Sequence, residues 1–170
     1  RTGRPVSELD SVQVRLTQPE RDIGPIVREP FVDRPFRILG IDPGSHHTGW
    51  GVVEKRGNSL SLVGCGTISP SRSLPLAGRL AVIAAGIREV CERERPVAAS
   101  VETVFHSVNP RTALVLGQAR GAAFAGLGGL LPVHEYAPGE IKRAVTGNGR
   151  AAKEQVGKMV GLLLGGEAAG

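Results

Sequence analysis

Between Phe36 and Ile68 the apolar residues fall into three short runs separated by tight turns, and from Leu76 onward short apolar runs alternate with stretches of helical period. Arg37-Ile38-Leu39-Gly40-Ile41-Asp42 is a strand-like run closed by Pro43-Gly44. Thr48 to Lys55 and Leu60 to Ile68 are two β-type runs separated by Arg56-Gly57-Asn58-Ser59, a hairpin signal. Leu76, Leu80, Ile83, Ile87 and Val90 then recur at spacings of four, three, four and three, which puts one apolar stripe on a helix ending near Glu94. Pro96 stops it, because proline lacks the N–H a helix needs. Val97 to Glu102 reads as a buried strand. Pro110 opens a second helix to about Leu127, at a position whose N–H would have no helical partner anyway. Pro132 to Tyr136 is a last short strand. Helical stretches around Glu140 to Val145 and from about Ala151 to Leu164 follow, with Gly147-Asn148-Gly149 between them. The order β-β-β-α-β-α-β-α-α predicts an α/β fold in which a mixed sheet is flanked by helices.

A chain of 170 residues with 41% hydrophobic and 22% charged residues can bury one full core. No apolar stretch approaches the roughly 18 to 20 residues of a membrane span, and the first residues lack a secretory pattern, so a soluble, cytoplasmic protein is expected. Residues 1–36 carry Pro5, Pro19, Pro25, Pro30 and Pro35, mixed charges that cancel and no sustained periodicity; an N-terminal extension, disordered, is expected there. The net charge of +5 therefore lies wholly in residues 37–170, a bias that suits a polyanionic partner without requiring one. Cys65 and Cys91 stand in apolar surroundings without metal-ligand spacing and read as reduced core thiols.

Asp42 closes the first strand and Glu102 the fourth, the edge of an α/β sheet where ligand sites gather. If those strands are neighbours the carboxylates converge, and two converged carboxylates stay ionised only beside a cation; hard oxygen ligands favour Mg²⁺ or Mn²⁺. Such ions activate water and stabilise a leaving oxygen in phosphodiester cleavage. Taken singly, Asp-Pro-Gly is also ordinary turn chemistry, and Glu102 is equally a solvated strand end.

Phe105 follows in a loop with His106, Ser107 and Asn109, where it either packs under the loop or wedges into an opened base step. Lys142, Arg143, Arg150, Lys153 and Lys158 face a single acid, Glu154, over that segment; such a run is a solvated helix face or a set of phosphate contacts. Gly117 and Gly121, with Ala113 and Ala122, leave one helix side small enough for close packing, within the chain or between two chains.

Gly40-Ile-Asp-Pro-Gly-Ser45, Thr48-Gly-Trp-Gly-Val52, Val101-Glu102 with Phe105, and Leu116-Gly-Gln-Ala-Arg-Gly121 together resemble the RuvC family of Holliday-junction resolvases, in order and approximate spacing. The resemblance covers roughly residues 37–164. It implies a ribonuclease-H-like mixed sheet, a homodimer, and Mg²⁺-dependent cutting of four-way DNA junctions during recombination and repair, alongside a branch-migration helicase complex. It makes Asp42 and Glu102 the catalytic metal ligands, and Phe105, Arg111, Lys142 and Lys153 the DNA-binding residues. It also implies further carboxylates on a final helix, whereas no Asp follows Asp42 and Glu167 is the one acid beyond Leu164. With residues 165–170 read as a truncated or divergent tail, the expectation is a protein that binds branched DNA and cuts it poorly. Two other classes stay open: a ribonuclease-H-like nucleotide-binding protein, for which no second phosphate loop is visible, and an interaction module. Salt-dependent preference for a four-way junction over duplex separates these from a resolvase.

Overall fold

The computed structural model describes residues 34–103, 109–129 and 131–165. The strands are β1 (Phe36–Asp42), β2 (Thr48–Arg56), β3 (Ser59–Ile68), β4 (Ala98–Glu102) and β5 (Val133–Tyr136). The helices are α1 (Leu76–Glu94), α2 (Pro110–Leu127), α3 (Pro138–Thr146) and α4 (Lys153–Leu163). They fall in the order expected, with ends moved by a residue or two. The strands form one mixed sheet in the order β3-β2-β1-β4-β5. β1, β2 and β3 are antiparallel neighbours, and β4 and β5 join parallel to β1.

Alternation along the strands assigns two faces. Leu39, Ile41, Val52, Ala99 and Val101 point to one side and are almost fully buried, where they meet Ile83 and Ile87 of α1 and Ala119, Ala123 and Leu127 of α2. Gly126 allows the two helices to close on each other. A Cβ there would lie 2.6 Å from the Ala84 carbonyl oxygen and 2.8 Å from the Ile87 Cβ. Arg37 ties three elements at the far end of the sheet: its Nε donates to Glu54 at 3.2 Å, and its guanidinium donates to the Glu94 carboxylate at 3.2 Å and carbonyl at 3.1 Å.

The element ends follow local chemistry. α1 stops at Arg95, held in the left-handed region at φ 50°, just before Pro96. The Asn109 side chain accepts the Arg111 N–H at 2.9 Å and Pro110 takes the first helical position, so α2 starts where the sequence places it. β4 differs from expectation in being buried on the core face alone, since Ala98, Ser100 and Glu102 on the other face are only half-buried.

That other face is more open. Phe36 and Ile38, the glycines Gly40 and Gly51, and Val53, Leu60 and Leu62 floor a groove of about 780 Å³ bordered by Gly157, Val160 and Gly161 of α4. Cys65 also lines this groove and is exposed, so the core position expected for it is corrected: its place in β3 turns it away from α1. Cys91 is partly buried against the core, and both cysteines are free. Among the described residues no helix is long and apolar enough to cross a membrane.

Candidate active site

Asp42 and Glu102 lie one residue beyond the paired Ile41 and Val101, at the carboxyl ends of adjacent parallel strands. Because Ile41 and Val101 point into the core, both carboxylates point to the opposite face. Neighbouring strands run about 4.8 Å apart, so the two side chains leave the sheet side by side. Gly49, across from Asp42 on β2, puts no side chain there; a Cβ at this position would sit 3.7 Å from the Asp42 Cβ.

The turn after Asp42 is held by a buried threonine. Thr48 is fully buried, its hydroxyl donates to the Gly44 carbonyl at 2.8 Å, and it accepts the Gly44 N–H at 3.3 Å. A Cβ on Gly44 would clash with the His47 carbonyl oxygen, so only glycine fits that turn. The Asp-Pro-Gly-Ser and Thr-Gly-Trp-Gly blocks thus form one clamp that fixes where β1 ends and Asp42 begins.

Glu102 carries the electrostatic signature of the pair. Partial burial raises its carboxyl above the usual range, the neighbouring Asp42 charge raises it further, and Lys142 on α3 pulls it back down. Two carboxylates that repel each other at a sheet edge, one of them held back from ionising, suit a divalent cation, which relieves both effects. Among the described residues no third His, Cys, Asp or Glu joins them in a metal-binding cluster.

Of the residues singled out in the sequence, Asp42, Glu102 and Lys142 come together. Arg111 is exposed in the first turn of α2 and Lys153 is exposed at the start of α4, and neither has an ion-pair partner among the described residues. Phe105, with His106 and Ser107, lies outside the described residues, as do Glu167 and the first 33 residues of the extension. Tyr136 has no local signal: it pairs with Glu102 in the β4–β5 register, a relationship that needs the strand order. The helix glycines resolve by side: a Cβ on Gly117 or Gly121 would meet nothing within 4 Å among the described residues, whereas Ala122 packs against the core.

The family model for crossover junction endodeoxyribonuclease RuvC matches residues 38–168. The RuvC of Anaeromyxobacter sp. (strain K) is 52% identical over 129 residues, which cover 75% of this chain and 69% of that one. The RuvC of Cupriavidus pinatubonensis is 53% identical over 130 residues, covering 76% and 72%. Among solved structures, T. thermophilus RuvC in complex with Holliday junction substrate superposes with a TM-score of 0.74 at 36% identity, covering 79% of this chain and 84% of that one. The yeast mitochondrial Holliday junction resolvase shares the fold at 10% identity, with a TM-score of 0.57 over 78% of this chain and 64% of that one. The ribonuclease-H-like sheet, the block of residues around Asp42 and these matches agree, and the chain belongs to the RuvC family of crossover junction endodeoxyribonucleases, whose activity depends on a divalent metal.

Proposed function

We propose that this chain, through residues 37–164, binds four-way DNA junctions as a homodimer and cuts their phosphodiesters with Mg²⁺ held by Asp42 and Glu102, Mn²⁺ serving in its place. The observation that carries the reading is the juxtaposition of Asp42 and Glu102 on one sheet face, with Lys142 acting on Glu102 from α3. A bound cation supplies Lewis-acid stabilisation of the phosphate and orients the attacking water. The chain's own part is positional: the Thr48 clamp fixes Asp42, the β1–β4 pairing fixes Glu102, and Lys142 keeps Glu102 ready to ionise. Arg111, Lys142 and Lys153 take phosphate contacts, which set register on the DNA and carry no sequence information. Phe105, in the segment between β4 and α2, takes the role of a wedge in an opened base step.

Dimer pairing is assigned to the outer side of α2, where Gly117 and Gly121 face open space beside Leu114, which is 64% exposed. A glycine whose missing side chain nothing among the described residues fills is suited to close approach by a second chain. Family resemblance adds a branch-migration helicase complex as partner and the cytoplasm as compartment.

A mobility-shift titration of labelled four-way junction against duplex competitor, followed by Mg²⁺-dependent strand cutting, tests the reading. Junction preference at moderate salt supports it; equal affinity for junction and duplex rejects it. A second reading, in which binding outlasts cutting, is favoured by the pair of carboxylates standing without a third ligand among the described residues. Strong cutting abolished by Glu102→Gln rejects that second reading.

A further inference from the structure

We propose that Tyr136 is a further substrate-contacting residue of this site, donating its phenolic hydrogen to a phosphate oxygen of the bound DNA strand. The inference rests on the DNA-binding reading above and extends it to a third strand of the sheet.

In the β4–β5 ladder Glu102 pairs with Tyr136 and Val101 with Glu135. Residues paired across parallel strands share a face. Val101 points into the core, and on the same side Glu135 reaches Arg120 of α2 in an ion pair. Tyr136 therefore shares the face of Glu102, and Asp42 stands on the far side of Glu102 on that face. Asp42, Glu102 and Tyr136 form a row across three adjacent strands, in steps of about 4.8 Å.

The backbone of Tyr136 is held while its side chain is left unused by the fold. Its carbonyl accepts the Thr103 N–H at 2.9 Å, and the next residue, Ala137, donates its N–H to Glu140 at 2.7 Å within the cap of α3. The residue is 42% exposed, and its hydroxyl has no hydrogen-bond partner among the described residues. An exposed ring at a strand end adds little to the core, and a tyrosine hydroxyl ordinarily finds a partner once it is covered. The charged groups that share this edge, Asp42, Glu102 and Lys142, act on phosphate or on a cation. What they draw to the edge is the DNA backbone, to which tyrosine hydroxyls commonly donate.

Tyr136 is the single tyrosine of the chain, so 3-fluorotyrosine incorporation yields one ¹⁹F resonance. The full chain is titrated in EDTA, which prevents cutting, with a four-way junction. The resonance is expected to shift over the concentration range in which the mobility shift saturates. Tyr136→Phe is expected to lower affinity by about tenfold, the scale of one hydrogen bond to a charged group, with the melting temperature unchanged. A resonance that stays still at saturation, or a phenylalanine variant that binds as the parent does, overturns the assignment. If the parent binds junction and duplex alike, the resolvase reading falls alone, and the same two measurements on duplex decide Tyr136. A chain that binds neither DNA overturns both.

Discussion

Glu102 and Lys142 face each other across the edge of the sheet, the carboxylate at the end of β4 and the ammonium on α3, and the lysine offsets part of what burial and Asp42 do to Glu102. The carboxyl still ends above its ordinary range. This balance leads to the first two predictions.

In metal-free protein, Glu102→Gln is expected to raise the melting temperature at neutral pH. The folded carboxyl binds its proton more tightly than the unfolded one, so Glu102 favours folding while protonated and loses that contribution as pH rises through its folded value. Glutamine has no such loss. The gap between variant and parent should close as pH is lowered toward full protonation, and added Mg²⁺ should stabilise the parent more than the variant. Thermal melts with and without chelator check both; a parent as stable as the variant at neutral pH without metal contradicts the charge relationship.

Lys142→Gln should weaken binding to junction and duplex by a similar factor and reduce the slope of log affinity against log salt by about one, as expected for one lost phosphate contact. Affinity measured at several salt concentrations gives the slope. An unchanged slope would place Lys142 outside the DNA interface.

Gly126→Ala is expected to destabilise the fold by about 1–3 kcal/mol, because the added methyl has backbone on one side and the Ile87 side chain on the other. Urea unfolding with an unchanged m-value tests it. A neutral result would mean that α1 and α2 part more readily than their packing implies.

Gly121→Ala should act in the opposite sense on the separate chain, stabilising α2 by up to about 1 kcal/mol because the methyl enters open space in a helix interior. If the outer side of α2 is the dimer contact, the same substitution, and Gly117→Leu more strongly, should raise the dimer dissociation constant. Sedimentation equilibrium separates the two effects.

Cys65 should react with a thiol reagent well before Cys91 at neutral pH. Cys65 is exposed, while burial and the neighbouring Glu92 push the Cys91 thiol up, leaving less of the reactive thiolate. Mass spectrometry after timed alkylation reads the order, and denaturant should abolish it.

Much of the fold is legible in the sequence because its signals are local. Pro96 and Pro110 act on the backbone within a residue or two, Gly147 ends α3 in the left-handed region at φ 77°, and the period of Leu76 to Val90 is a property of one helix. Asp42 was legible for the same reason: the glycine and threonine that shape its turn are its near neighbours in sequence.

The rest depends on which elements meet. Inserting β4 beside β1 makes Asp42 and Glu102 neighbours, and adding β5 outside β4 brings Tyr136 into the same row. Likewise, nothing local distinguishes Gly126, pressed against Ile87, from Gly121, which faces open space, or marks Cys65 as turned from the core. The elements, their ends and the clamp around Asp42 follow from local sequence, since backbone preferences and apolar periods act within a few residues. Strand order, register and the outward or inward sense of each small residue were decided by tertiary structure alone, because burial is a property of two surfaces and each segment of sequence describes only one.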